Sequence, residues 1–356
     1  MTTVLVVPSL KISGGTREAL RLVSEMRQER QEASVLSMWH SPHAMAASAP
    51  VEHLSALPPR IRRAPMEFPL LMWRFRAWLH RTRLAAAPGS DRFIFTHYAT
   101  VPLALLVPRA QRLFFVQDLE WHFVANKLLS GGIRAMLKRI YRTGRIVSAN
   151  AYLTKALEAE GLPVAHELPI WADRFFAEGP SPSPSRGTDF AMVLRKGAHK
   201  RLDLYLDFIR RCHEAGRSVT VITPEDDIAD QVRHQVANCL LRPSAEAMRE
   251  AYAHSRCFIH LSDHEGFGLP PLEAMGAGCV PVCRDSGGVR AFMQTEALDG
   301  LLLSSDMPAE RVFETATALL ADPARLDRLS QISRELFTDG LSRCADARRH
   351  LVHALQ

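Results

Sequence analysis

The chain has 356 residues, a net charge of +6, 47% hydrophobic residues and 23% charged residues. That length is too great for one small core and suits two α/β domains of about 150–180 residues each. The composition excludes a mainly disordered chain, unpatterned glycines exclude collagen, and no run reaches about 18 uncharged apolar residues, so no membrane-spanning helix is expected.

Residues 4–10 (VLVVPSL) read as a buried first strand. The run lacks a basic start and is too short for a signal-peptide core, so a cytoplasmic chain is expected. A turn at Gly14-Gly15 and the amphipathic stretch TREALRLVSEMRQE follow, then a strand at ASVLSM. Further strands are predicted at 93–98, 112–118 and 145–150. Strands alternating with helical stretches imply βαβ units and a parallel sheet. The Pro/Ser run GPSPSPSRG, residues 179–187, reads as a linker, because it can neither pair in a central strand nor continue a helix. Alternation then resumes, with strands at 189–194, 218–223, 257–262 and 279–283 and a helical C-terminal part. The expected plan is a first domain over 1–178, the linker 179–187, a second domain over 188–340, and a C-terminal helix over 341–356 that crosses back to the first domain. Two such α/β halves place ligands at the C-terminal ends of their strands, in a cleft between them.

Six cysteines, all in the second half and without C-x-x-C spacing, read as free thiols. Charge is uneven. Residues 1–175 hold 23 Lys+Arg against 13 Asp+Glu, a balance of +10, while the remainder holds 21 against 25, a balance of −4. A basic first half implies an anionic ligand or surface.

The richest segment is HLSDHEGFGLPPLEAMGAGCVPVC, from His260 to Cys283. Its order is strand, glycine loop, helix, strand. Glu265 falls where the first strand ends. Pro270 and Pro271 suit the first helical turn, which puts Glu273 near the start of the helix. Gly266 and Gly268 let backbone N–H groups approach a ligand. The orphan amides and positive dipole of the helix start suit a diphosphate.

This segment resembles the signature of the retaining glycosyltransferases of family four, E-G-F-G-x-x-x-x-E-A-M-A-x-G, with Gly276 in place of the usual Ala. The stretch GLLLSSDMPAERVFETATALLADPARLDRLS, the Gly14-Gly15 pair and VLRKGAHKRLDLYL are similar to further parts of that family's pattern. QDLEWHF and SANAYLTKALEAEG look like its bacterial rhamnosyl- and mannosyltransferases of surface-polysaccharide synthesis. The resemblance implies the GT-B fold, α/β with two Rossmann-like domains facing a central cleft. It implies donor binding by Gly14, Gly15, Gly266, Phe267, Gly268, Leu269 and Glu273, with Glu273 on the ribose. Glu265 would hold the donor sugar's hydroxyls, and Arg195 and Lys200 would neutralise the leaving diphosphate without a metal. Lys196 and Arg201 compete for these cationic roles. No D-x-D motif is present, and Asp118-Leu119-Glu120 is the nearest variant. The family's His-Asp pair reads Gln117-Asp118, and its G-G-x-x-E reads Gly287-Gly288-Val289-Arg290-Ala291. His97, Gln117 and Asp118 are candidates for contacting acceptor or sugar.

Residues 60–84 form a basic amphipathic stretch. Its apolar stripe is Phe68, Leu71, Met72, Phe75, Trp78 and Leu79, bordered by Trp73 and by Arg74, Arg76, Arg81 and Arg83. Such a helix suits an anionic membrane surface, and a core helix is the competing reading. No nucleic-acid recognition motif is present. The expected activity is transfer of a hexose from a nucleotide-diphosphate sugar to a saccharide or lipid-linked acceptor, with no cofactor. A nucleotide-sugar-binding scaffold and a GT-B nucleotide-sugar epimerase are the alternatives.

Overall fold

The computed structural model describes residues 2–11, 14–41, 44–55, 64–82, 91–124, 126–179 and 187–354. They form two compact units, residues 1–170 with 346–356, and residues 171–345.

Unit 1 is built on a parallel seven-stranded sheet in the order β3-β2-β1-β4-β5-β6-β7. Its strands are β1 (Thr2–Val7), β2 (Glu32–Trp39), β3 (Val51–Ser55), β4 (Asp91–Phe95), β5 (Arg112–Val116), β6 (Arg145–Ser148) and β7 (His166–Glu167). The central strands β1, β4 and β5 are almost wholly buried, as covered parallel strands must be. Its helices are α1 (Gly14–Gln28), α2 (Ala64–Thr82), α3 (Lys127–Tyr141) and α4 (Ala151–Ala159).

Unit 2 repeats the plan with a parallel six-stranded sheet, β10-β9-β8-β11-β12-β13. Its strands are β8 (Thr188–Val193), β9 (Val219–Thr223), β10 (Asn238–Leu241), β11 (Ser255–His260), β12 (Val280–Arg284) and β13 (Leu302–Leu303). Its helices are α5 (Leu202–Glu214), α6 (Asp226–Val232), α7 (Ala245–Ala253), α8 (Leu269–Gly276), α9 (Arg290–Met293), α10 (Ala309–Leu320) and α11 (Pro323–Ala354). Helix α5 shows why these segments fold as they do. Tyr205, Phe208, Ile209 and Cys212 recur at helical spacing and are its buried face. No disulfide joins any of the six cysteines among the described residues.

Two expectations need correction. The chain divides before Trp171, not at the Pro/Ser run, of which residues 180–186 lie outside the described residues. Trp171 packs on Phe267, Phe292 and Phe337, and Phe176 packs on Tyr252, so residues 171–178 belong to the core of unit 2. The later boundary falls within α11, whose residues from Asp346 onward belong to unit 1.

The second correction concerns residues 60–84, of which 60–63 and 83–84, including Arg83, lie outside the described residues. The stripe on α2 is core: Leu71, Phe75, Trp78 and Leu79 are buried, and Phe75 stacks on Trp78 and meets Phe93 edge-on. Trp78 Nε1 donates to Glu52, Arg81 pairs with the same carboxylate, and Arg74 donates to the Leu54 carbonyl. Among the described side chains of this helix, Leu70 and Trp73 are the exposed large apolar ones.

Candidate functional site

In each unit the candidate residues stand at the C-terminal ends of the sheet's central strands, where open parallel sheets bind ligands.

In unit 2, Arg195 follows β8, the Asp263–Gly268 loop follows β11, and the Asp285–Val289 loop follows β12. These three strands are neighbours in the sheet. The last two loops are joined through their backbones. Glu265 N–H donates to the Ser286 carbonyl at 2.9 Å, and Gly288 N–H donates to the Glu265 carbonyl at 3.0 Å. A Cβ on Gly288 would lie 2.5 Å from the Gly266 carbonyl carbon and the Phe267 nitrogen, so only glycine permits this approach. Gly268 caps α8 with φ 89°, a left-handed conformation, and an added Cβ would meet Val289 at 2.7 Å. Gly276, where the family pattern has Ala, lies where a Cβ would approach Phe337 to 3.0 Å, so that phenylalanine fills the space.

The glutamates have different surroundings. Glu273, in α8, is buried and accepts a 3.5 Å hydrogen bond from Tyr252, itself fully buried. Glu265 is held by Lys200, whose Nζ lies 2.8 Å from both carboxylate oxygens. His260 Nε2 stands 4.0 Å from Glu265 and 3.2 Å from Ser286 Oγ. Burial alone would raise the Glu265 pKa, but the Lys200 ammonium outweighs it and holds the carboxyl at about 2. Burial lowers His260 to about 4, so that imidazole is neutral at pH 7.

The competing cations have different partners. Lys196 pairs with Asp227 at 2.8 Å. Arg201, left-handed at φ 50°, pairs with Asp203 at 2.8 Å and with Asp263 at 3.1 Å. Arg195 is exposed and has no hydrogen-bond or ion-pair partner among the described residues. The arrangement therefore offers one uncompensated guanidinium, a neutralised Lys–Glu pair, a buried carboxylate and a helix start.

In unit 1, Gly14 and Gly15 open α1. A Cβ on Gly15 would lie 3.1 Å from Gln117 Oε1, a buried oxygen without a hydrogen-bond partner among the described residues. Asp118 accepts a 2.7 Å bond from Leu119 N–H, which turns the chain. Glu120 is buried and accepts the Tyr98 N–H, and His97 Nε2 is 3.5 Å from its other oxygen. His97 Nδ1 accepts from Ala99 N–H at 3.2 Å, so the neutral ring carries its proton on Nε2. Burial lowers His97 to about 4 and pushes Glu120 well above the ordinary carboxyl value. Sequence reasoning passed over Tyr252, His260, Ser286 and the His97–Glu120 contact. His260 opens the quoted motif and could have been found there, whereas Tyr252 carries no local signal.

Residues 227–336 match the family model "Glycosyl transferases group 1". The chain carries a group 1 glycosyl transferase domain. Over 143 residues it is 31% identical to the GDP-mannose:cellobiosyl-diphosphopolyprenol alpha-mannosyltransferase of Komagataeibacter xylinus, a match covering 36% of each chain. Over 81 residues it is 36% identical to the enzyme of the same name from Xanthomonas oryzae pv. oryzae, covering 22% of this chain and 20% of that one. The matches thus span about a third or less of these relatives. Among solved structures, sucrose-phosphate synthase from Thermosynechococcus elongatus superposes with a TM-score of 0.78 at 14% identity, covering 100% of this chain and 99% of that one. WaaG, a glycosyltransferase of lipopolysaccharide biosynthesis, gives 0.71 at 13% identity, covering 94% and 95%. Anabaena HepE in complex with UDP and glucose gives 0.72 at 13%, covering 100% and 99%. These likenesses show the fold, which is GT-B. The group 1 domain begins within α6 and takes in both glutamates, while Arg195 and Lys200 lie outside it.

Proposed function

We propose that this chain is a retaining, metal-independent hexosyltransferase. It would move a sugar from a nucleotide diphosphate to a saccharide or lipid-linked acceptor in surface-polysaccharide assembly. The observation that carries this reading is the edge of unit 2, where unpaired Arg195 and the Lys200–Glu265 pair share one sheet end with buried Glu273 and the α8 start. The mannosyltransferase relatives, whose names give a polyprenol-linked sugar as acceptor, support a hexose donor and a lipid-linked acceptor.

Charge assigns the roles. As the bond from the anomeric carbon to phosphate breaks, negative charge grows on the diphosphate. Arg195 can bind two of its oxygens in a fork, and Lys200 adds a second cation. Drawing Lys200 towards phosphate frees Glu265 oxygens to accept sugar hydroxyls. Glu273 accepts from the ribose. Glu265 is assigned to the sugar hydroxyls and Glu273 to the ribose, so this reading gives no described side chain of the edge the part of nucleophile. The acceptor oxygen therefore bonds to the anomeric carbon on the face the phosphate leaves, and its proton passes to the departing phosphate oxygen. The residues of unit 1 around Gln117 and His97 take the acceptor.

The test is calorimetric titration with GDP-mannose, UDP-glucose and a dTDP-sugar, followed by donor turnover with chelator present and assignment of the product anomer by NMR. A retained anomer with full activity under chelator is expected. An inverted product, or strict dependence on Mg²⁺ or Mn²⁺, would overturn the reading. Tight nucleotide binding with neither hydrolysis nor transfer would make the chain a binding scaffold.

A further inference from the structure

Every large apolar side chain left exposed among the described residues lies in unit 1. Leu70 and Trp73 are on α2. Leu105 and Phe123 are on the short 3-10 turns Val101–Leu106 and Glu120–Phe123. Leu128, Leu129 and Met136 are on α3. Helix α3 packs on both turns, and α2 packs on the first, so the elements bearing these side chains form one neighbourhood. The protrusion is pronounced: Leu128 is 90% exposed and Trp73 66%.

Helix α3 does not need those leucines for its own packing. It buries Leu137, Ile140 and Tyr141, and its start is fixed by Asn126 capping Leu129 N–H and by Ser130 Oγ donating to the Trp121 carbonyl at 2.6 Å. By helical periodicity Leu128, Leu129, Met136 and Arg139 fall within about 100° of arc, so a cation shares the exposed apolar face.

Charge then selects the occupant. Residues 121–157 contain seven Lys and Arg and no Asp or Glu. Glu160 neutralises Arg134 and Lys138, whereas Lys127, Arg139 and Arg142 have no ion-pair partner among the described residues. Protruding leucines with an aromatic and a methionine, interleaved with uncompensated cations, match an anionic bilayer. The apolar tips enter the acyl boundary and the cations meet headgroup phosphates.

We propose that the α3 face of unit 1, with Leu105 and Phe123 on the two turns it packs against, docks on an anionic lipid bilayer. The inference stands on exposure and charge. It also gives the lipid-linked acceptor of the proposed reaction a surface from which to be drawn, and to that extent it rests on that reading.

The test is sedimentation of the full chain with vesicles of equimolar phosphatidylglycerol and phosphatidylcholine, against phosphatidylcholine alone, at low and high salt. Wild type is expected to pellet with the anionic vesicles at low salt and to be released by high salt. Leu128→Glu/Leu129→Glu is expected to lower the partition coefficient at least tenfold while keeping the thermal midpoint, because both side chains are exposed. Leu128→Trp is expected to show a blue-shifted emission on the anionic vesicles. Absence of pelleting by wild type, or unchanged pelleting of the double variant, overturns the proposal. So does a vesicle-free dimer that the double variant abolishes, which would give the face to a second copy. Calorimetry with GDP-mannose on the same preparations separates the two readings. Vesicle binding without nucleotide binding sinks the transferase assignment alone, and the reverse sinks the docking surface alone.

Discussion

At the scale of single residues, the two glutamates of the signature sit in different surroundings, and the roles proposed for them differ accordingly. Glu273 has a buried tyrosine beside it, and Glu265 has an ammonium on both oxygens. Glu273→Ala is expected to weaken nucleotide affinity by about 1.5–3 kcal/mol for each lost hydrogen bond to a charged acceptor, read by calorimetry. Unchanged affinity would remove the ribose role. Arg195→Ala is expected to lower turnover by roughly 100-fold, with little effect on stability, because this exposed cation has no hydrogen-bond or ion-pair partner among the described residues. A matching fall in thermal stability would mark it as structural instead. His260 gives a pH signature. Its folded pKa of about 4 lies below the unfolded value near 6.5. The protein is therefore fully stable with respect to this group above pH 6.5 and loses stability as pH falls from there towards 4, by on the order of 3 kcal/mol in total. Glu265 acts in a lower window: its contribution is present above the unfolded 4.5 and is lost as pH falls towards 2. Denaturant titrations of wild type and His260→Gln should therefore diverge in slope between pH 6.5 and 4 and run parallel above it. Parallel curves throughout would mean that the imidazole is not held neutral.

At the scale of elements, the glycines of the unit 2 loops are geometric requirements. Gly268→Ala should cost about 1–2 kcal/mol from the left-handed backbone alone, with the contact to Val289 adding to it. Gly288→Ala presses a methyl onto rigid backbone, so it should cost more and also loosen Glu265. Thermal unfolding ranks the two, and a Gly288→Ala protein as stable as wild type would contradict the close approach of the loops. The central strands and this loop were legible in the sequence for the same reason: buried parallel strands are continuous apolar runs, and turns of special geometry must spell glycine and proline. The strands that escaped notice lie on the outside. β3 is VEHLS with two exposed positions, β10 is NCLL, and β7 and β13 have two residues each. An edge strand is covered less, so its sequence need not be apolar. The α2 stripe shows the converse limit. A core face and a membrane face share one helical pattern, and only Phe93 and Glu52, distant in sequence, decide which it is. The cations at the end of β8 were ambiguous for a related reason, since the pairing partners Asp227, Asp263 and Glu265 arrive from other loops.

At the scale of the whole molecule, one helix belongs to two cores. Helix α11 contributes residues 323–345 to unit 2 and its remainder to unit 1. In unit 1 its anchor is Arg348, 1% exposed. Arg348 reaches Glu18 at 3.2 Å, Glu25 at 2.8 Å and the Pro169 carbonyl at 3.2 Å. Both glutamates are on α1, the helix that opens with Gly14-Gly15, so the clamp also steadies that glycine end. Burial raises the Glu18 pKa even with Arg348 opposing it, so removing the guanidinium strands a carboxyl that cannot reach water. Arg348→Met should therefore destabilise unit 1 by about 3–5 kcal/mol, the usual consequence of leaving one partner of a buried pair. Hydrogen exchange should speed up in α1 and in residues 346–354, while the strands of unit 2 keep their protection. Adding Glu18→Leu removes the stranded charge and should restore most of the loss, since apolar replacement of both partners is often neutral. Recovery in the double variant would show that the penalty is electrostatic. A single variant that loses under about 1 kcal/mol would mean that apolar contacts such as Leu351 and Val352 hold the end of α11 without the clamp.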